Sequence, residues 1–312
     1  MEPRKKLIYT LIGLGVFFLV VVIGFSLWKG RSTPVQFIKE DSAFGPVVEG
    51  TFYPADPVKL NQWIQSFIQR SPNFDASDRQ IFGLIVPHAG YSYSGRTAAA
   101  AFKLLQGKSF PRVVVMAPSH HAQAPEVSIP GYAYYQTNLG TIPIDRETVQ
   151  KLKKGRPWIT DNPNLYNREH ALEVELPFLQ TVLGKFQLVP LIIGDSNIEL
   201  ARNLAAALKE TLGNDALYIA STDLSHYHPY YQDEILDKNT LNLIAGKDPA
   251  KLNQAVADQQ AELCGLGPVL TILTLFQDVP NGKIQLIFHE NSGDVVGQRE
   301  SVVGYGALGL FY

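Results

Sequence analysis

Four of the seven histidines in this chain stand just beyond short apolar runs. His88 follows the run 81–86 in Val-Pro-His-Ala-Gly-Tyr, and His120 and His121 follow 112–117 in Pro-Ser-His-His. Asp223 and His226 follow 216–221 in Ser-Thr-Asp-Leu-Ser-His-Tyr. Neutral imidazoles gathered from separate loops are first of all a metal site. The single cysteine, Cys264, lies in Ala-Glu-Leu-Cys-Gly-Leu-Gly-Pro, just before an apolar segment of helical length. At a helix N-terminus a thiolate is favoured by the backbone N–H groups, and a bound cation favours it further. Two histidines and one cysteine would form a three-ligand site with open positions, suited to iron(II), copper or zinc. Glu262 places a carboxylate two residues before the sulfur.

Other chemistry-bearing residues are weaker candidates. His170 and Glu173 are one helical turn apart and are expected to share a supporting role. Tyr91 lies between Gly90 and Gly95 in a loop that either touches substrate or simply turns tightly. Ser119 precedes His120, yet no G-x-S-x-G elbow surrounds it, and no Walker or dinucleotide glycine pattern occurs. His228 and His289 read as surface or core histidines.

What must hold these residues is an alternation of strand and helix. Apolar runs at 81–86, 112–117, 187–193 and 216–221 read as buried strands, and 284–289 and 301–311 close the chain as strands. Helices are expected at 97–105 (capped by Ser94), 169–183, 196–212, 230–245, 249–259 and from Cys264 to Phe276, with Pro177 breaking or kinking the second. This pattern predicts one three-layer α/β domain with a mostly parallel sheet and helices on both faces. Parallel strands deliver all their following loops to one edge, where ligands bind in open α/β sheets.

The first forty residues differ. Residues 7–28 carry no charge over 22 positions, about 33 Å as a helix, enough to cross a hydrocarbon core of about 30 Å. No A-x-A cleavage pattern follows, so an uncleaved transmembrane anchor is expected, contacting the lipid bilayer. Basic residues Arg4, Lys5 and Lys6 before the span, against Lys29, Arg31 and Lys39 after it, lean toward an extracytoplasmic domain. The organisation expected is a basic flank at 1–6, the span at 7–28, a linker at 29–43 and the α/β domain at 44–312. With 27 basic and 29 acidic side chains overall, the charge excludes a nucleic-acid binder, and one cysteine excludes intramolecular disulfides.

The motifs His-Ala-Gly-Tyr at 88–91, Pro-Ser-His-His at 118–121, Glu-His-Ala-Leu-Glu-Val-Glu-Leu-Pro-Phe at 169–178, Ser-Thr-Asp-Leu-Ser-His-Tyr at 221–227 and Cys-Gly at 264–265 together resemble the Memo family. Bacterial and archaeal members are named as the B component of the AmmeMemoRadiSam set, and the family's fold is similar to that of class III extradiol ring-cleaving dioxygenases. The resemblance implies His88, His120 and Cys264 as metal ligands, iron(II) or copper ahead of zinc, and His226 as acid/base. It implies Asp223 as a group orienting a ligand or His226, with His121 at the pocket edge. The dioxygenases use a carboxylate where this chain has Cys264, which departs from their chemistry. The expected function is metal-dependent redox chemistry on an unknown small molecule, with the other AmmeMemoRadiSam components as partners. The competing readings are a non-catalytic metal- or peptide-binding protein and a metal-dependent hydrolase.

Overall fold

The computed structural model describes residues 41–76 and 79–312. Among these residues a nine-stranded sheet contains, in chain order, β1 (Ile81–Val86), β2 (Arg112–Pro118), β3 (Val127–Ser128), β4 (Ile159–Thr160), β5 (Gln187–Ile193), β6 (Leu217–Ser221), β7 (His226–His228), β8 (Lys283–Asn291) and β9 (Val302–Phe311). The order across the sheet is β7-β9-β1-β6-β2-β5-β3-β4, with β8 also pairing with β9.

The four central strands β1, β6, β2 and β5 are parallel. Register aligns Val86 with Ser221, Met116 with Ala220 and Pro118 with Ile193, so their carboxyl ends leave the sheet nearly level. The flanks depart from the expected parallel arrangement: β9 is antiparallel to β1, β7 and β8, and β3 is antiparallel to β5. The physical reason at β8 and β9 is length. Residues 292–301 are too few for the crossover of a dozen or more that a parallel pair needs. The sheet is therefore mixed, with a parallel centre.

Helices cover both faces. Val113, Val115, Ala117, Leu217 and Ile219 point into a core with α1 (Pro57–Arg70), α2 (Tyr91–Phe102) and, beyond α3 (Arg146–Lys153), α4 (Leu176–Leu183). The alternate residues Val114, Met116, Tyr218 and Ala220 face the second core. That core takes in α5 (Ile198–Thr211), α7 (Pro249–Ala257) and α8 (Leu266–Phe276), with α6 (Tyr230–Ala245) beside it. The alternation is the period-2 geometry of a strand buried on both sides.

Local chemistry sets the element ends. Gly90, not Ser94, stands at the N-terminus of α2, and the Ser94 hydroxyl donates back to the Ala89 carbonyl at 3.0 Å. Pro177 does not kink a long helix. It lies in the first turn of α4, where its missing N–H costs nothing, and a single tight turn at Glu173–Glu175 precedes it. Residues 169–172 are thereby kept out of regular helix and reach the edge of the sheet.

The expected membrane anchor at 7–28, its flank at 1–6 and residues 29–40 of the linker lie outside the described residues, while Ala43 is already strand, paired with Tyr134. Among the described residues no helix is long and apolar enough to cross a membrane. The membrane location and extracytoplasmic placement expected from the sequence are corrected on that finding.

One buried polar cluster fixes the loop after β6. Asp237 of α6 accepts the Ser225 N–H at 3.0 Å and pairs with His289 Nε2 at 2.8 Å. Asp233 accepts the Ser225 hydroxyl at 2.7 Å and the Asn291 amide at 2.9 Å. Leu224 and Ser225 exchange main-chain bonds with Gly304 of β9, where any side chain would collide with the Asp237 carboxylate. Burial pulls His289 down, but the hydrogen bond and charge of Asp237 prevail and raise it.

Gly304→Ala is expected to destabilise the fold by about 1–3 kcal/mol in urea unfolding, because Asp237 must move; unchanged stability would show that the contact is slack. The His289–Asp237 pair gives a second expectation. Its folded pKa lies above the unfolded value of about 6.5, so its stabilisation is complete below that pH and fades as pH rises through the folded value. The stability of wild type and His289→Gln should differ most below pH about 6.5 and converge in alkali; a constant gap would refute the pair.

Candidate metal centre

Three loops meet at the carboxyl ends of β1, β2 and β6. His88 leaves β1 behind Pro87, and its ring is almost wholly buried. Its N–H donates to Asp223 Oδ1 at 2.8 Å, and its Nδ1 lies 2.8 Å from Ser221 Oγ. Nε2 is left facing Cys264 Sγ at 3.1 Å. His120 follows β2 and is gripped twice by Glu169, main-chain N–H to Oε2 at 2.6 Å and Nδ1 to Oε1 at 2.9 Å. Glu169 also accepts the Ala171 N–H at 2.9 Å.

Cys264 is brought in by the end of β6. Its N–H donates to the Asp223 carbonyl and its sulfur accepts the Asp223 N–H, both at 3.3 Å. The Gly265 N–H donates to Thr222 Oγ1 at 2.9 Å, and a Cβ on Gly265 would strike the Ser221 carbonyl. Only glycine permits this approach.

The result is that one donor atom from each of His88, His120 and Cys264 lies within 4.8 Å of the other two, so the group could hold a metal ion. A tetrahedral ion bound at about 2.1 Å to nitrogen and 2.3 Å to sulfur separates its ligands by roughly 3.5 Å, which this set can meet with small side-chain shifts. The other nitrogen of each imidazole already has a partner, the usual arrangement behind a metal-binding histidine.

The three donors differ in their electrostatics, and only His88 is already held in the form that would bind a cation. Burial, then the neighbouring His120, His170 and His226, hold His88 well below the ordinary histidine range, so it is neutral. Burial also lowers His120, but the bond and charge of Glu169 outweigh it and leave a net rise. Burial, seconded by Asp223, pushes the Cys264 thiol far up. This revises the expectation of a thiolate favoured by a helix N-terminus. The sulfur takes its N–H from Asp223, ahead of α8, and a cation would be what removes the proton. Asp223 is pushed up to about 7 by burial, against the lowering effect of the His88 and Ala89 N–H donors.

The remaining sequence candidates divide. His226 stands near the group, half-buried, lowered by burial, with Nδ1 3.9 Å from Glu262. Of the two roles expected for Asp223, the bond from the His88 N–H fits the bracing of a ligand loop. His170 stacks on His120 at 4.8 Å, and together with Glu169 and His120 it forms a second cluster of possible donors. Burial lowers His170 to about 4.

Glu173 faces elsewhere and does not share a site with His170: it accepts the N–H groups of Val47 and Val48 and the Tyr53 hydroxyl, clamping the loop before α1. Tyr91 is no pocket wall. It is buried against Tyr53 and Phe178, with its hydroxyl on the Val174 carbonyl at 2.6 Å. His121 is exposed and lines an outer hollow with Arg168 and Asn164. Glu262 is not aimed at Cys264; it ties the His226 N–H at 2.9 Å to His228 Nε2 at 2.7 Å, which gives His228 its partner. The residue the sequence reading passed over is Glu169. Its one signal was adjacency to His170, and spacing alone did not separate it from Glu173.

Residues 45–309 match the family described as Memo-like protein, a span that contains every residue of this cluster. The chain belongs to the Memo family. Archaeal relatives described as MEMO1 family protein align along nearly their whole length. That of Ignicoccus hospitalis is 35% identical over 277 residues, covering 84% of this chain and 96% of the relative. That of Methanobrevibacter smithii is 33% identical over 279 residues, covering 85% and 98%. The crystal structure of uncharacterized protein JW3007 from Escherichia coli K12 superposes with a TM-score of 0.52 at 15% identity, covering 74% of this chain and 99% of that one, a likeness of fold alone.

Because Glu169 fixes both the main chain and the ring of His120, Glu169→Gln should weaken cobalt(II) binding about 10–100-fold in a spectroscopic titration. An unchanged affinity would mean that His120 is oriented by other contacts.

Proposed function

We propose that this Memo-family chain holds a single transition-metal ion on His88, His120 and Cys264 and uses it in redox chemistry on a small organic substrate. The observation that carries the reading is the convergence of three donor atoms from three separate loops, all within 4.8 Å of one another. Two imidazoles and a sulfur fit a borderline or soft ion, and we favour iron(II) or copper over zinc. Such an ion, when bound, supplies Lewis acidity and a one-electron couple.

The protein's own residues do the rest. His226 is neutral at physiological pH because burial lowers it, and its partial exposure lets it take a proton from a substrate hydroxyl and return it. The Glu262 carboxylate beside its Nδ1 steadies the protonated ring. His170, packed at 4.6 Å on Phe52, forms an aromatic wall that restricts water. Cys264 replaces the carboxylate of ring-cleaving dioxygenases, and an oxidisable sulfur makes direct copying of their cycle unfavourable.

Full-length protein purified without oxygen should contain close to one equivalent of iron or copper by elemental analysis. His88→Ala, His120→Ala and Cys264→Ala should each lose most of it. Unchanged content in all three would overturn the site. Oxygen uptake with catechols should fall about 10²–10⁴-fold in His226→Ala while metal is retained; absence of uptake in wild type with any substrate or reductant would favour a binding role without turnover.

A further inference from the structure

A buried acid behind the centre has no place in the proposed chemistry. Glu175 is 1% exposed, with Oε1 2.7 Å from Ser221 Oγ, while Oε2 is buried without a hydrogen-bond partner. Ser221 Oγ is fully buried and has two further neighbours at 2.8 Å, the Ala171 carbonyl and His88 Nδ1. A serine hydroxyl has one proton to give and two lone pairs to receive. The Ala171 carbonyl can only accept, so giving it the serine proton leaves the two lone pairs for Glu175 and His88. All four atoms are satisfied only if both of those groups are donors.

We infer that Glu175 is kept as a neutral carboxylic acid and acts as a positioning residue: its O–H on Ser221 leaves the serine proton for the Ala171 carbonyl, which holds Ser221 as the acceptor beneath His88 Nδ1. An ionised Glu175 would take the serine proton, strip the Ala171 carbonyl of this bond and leave a buried charge with one hydrogen bond. Burial also holds its carboxyl well above the usual range. With Nδ1 protonated, the His88 Nε2 lone pair faces the Cys264 sulfur, which is the tautomer a metal site there requires. The inference rests on the proposed metal reading for its purpose, though not for its proton count.

A neutral carboxyl and a carboxylate absorb apart in the infrared, and the difference between wild type and Glu175→Gln isolates the bands of this one side chain. In the metal-free full chain at neutral pH that difference should show the loss of a carboxylic-acid C=O band; loss of carboxylate bands instead overturns the inference. Cobalt(II) affinity should stay within about threefold of wild type for Gln and fall about 10–100-fold for Leu. If Leu does not fold, Ser221→Ala should show the same weakening. Loss in Gln as large as in Leu, or wild-type behaviour in Leu, overturns the inference. If wild type takes up no cobalt, the metal reading falls, and the infrared band still decides the state of Glu175.

Discussion

The main chain at the end of β6 is shared by both loops that approach it, and the rest of the centre depends on that sharing. Residues 221–223 give a hydroxyl to the neighbourhood of His88 Nδ1, a carboxylate to the His88 N–H, a carbonyl to the Cys264 N–H and an N–H to the Cys264 sulfur. The parallel register of β1 and β6 makes this possible, since Val86 and Ser221 are partners and their following residues emerge side by side. His120 is the exception, held from outside this segment by Glu169.

The supporting acids illustrate how burial sorts identical side chains. Glu169, Glu173 and Glu175 all lie within seven residues and all are buried, yet their environments differ. Glu169 meets a histidine and two N–H donors and is held below the usual carboxylate value; burial is the largest single influence, but the bonds and charge of His120 and the Ala171 N–H together outweigh it. Glu173 has three donors and is still raised. Glu175 has one neighbour and an orphan oxygen. Donor supply, not sequence distance from the site, separates their chemistry.

Much of this architecture was legible in the residues. The runs Ile81–Val86 and Gln187–Ile193 are strands over the expected bounds, because uninterrupted branched apolar side chains suit a strand covered on both faces. The clustering of His88, His120 and Cys264 followed from strand-end loops sharing one edge, joined to the family resemblance. Three things were not legible. Helix α1 was missed, although Asp56, Pro57 and the spacing of Leu60, Ile64 and Ile68 spell its start and its buried face. The antiparallel flanks depend on a connection length, which strand patterns alone do not weigh. The roles of Tyr91, Glu173 and Glu262 depend on side-chain direction, and a residue two or three positions from a ligand points elsewhere as often as toward it.

The two apolar cores on either side of the sheet are complete without any contribution from the cluster at its edge. A zinc finger collapses when its ion is withdrawn, whereas here the donors stand on a finished scaffold and are tied to one another in advance. Were an ion held there, the filled chain would keep the fold of the empty one. Loading such a site would add stability by mass action without being needed to build the fold.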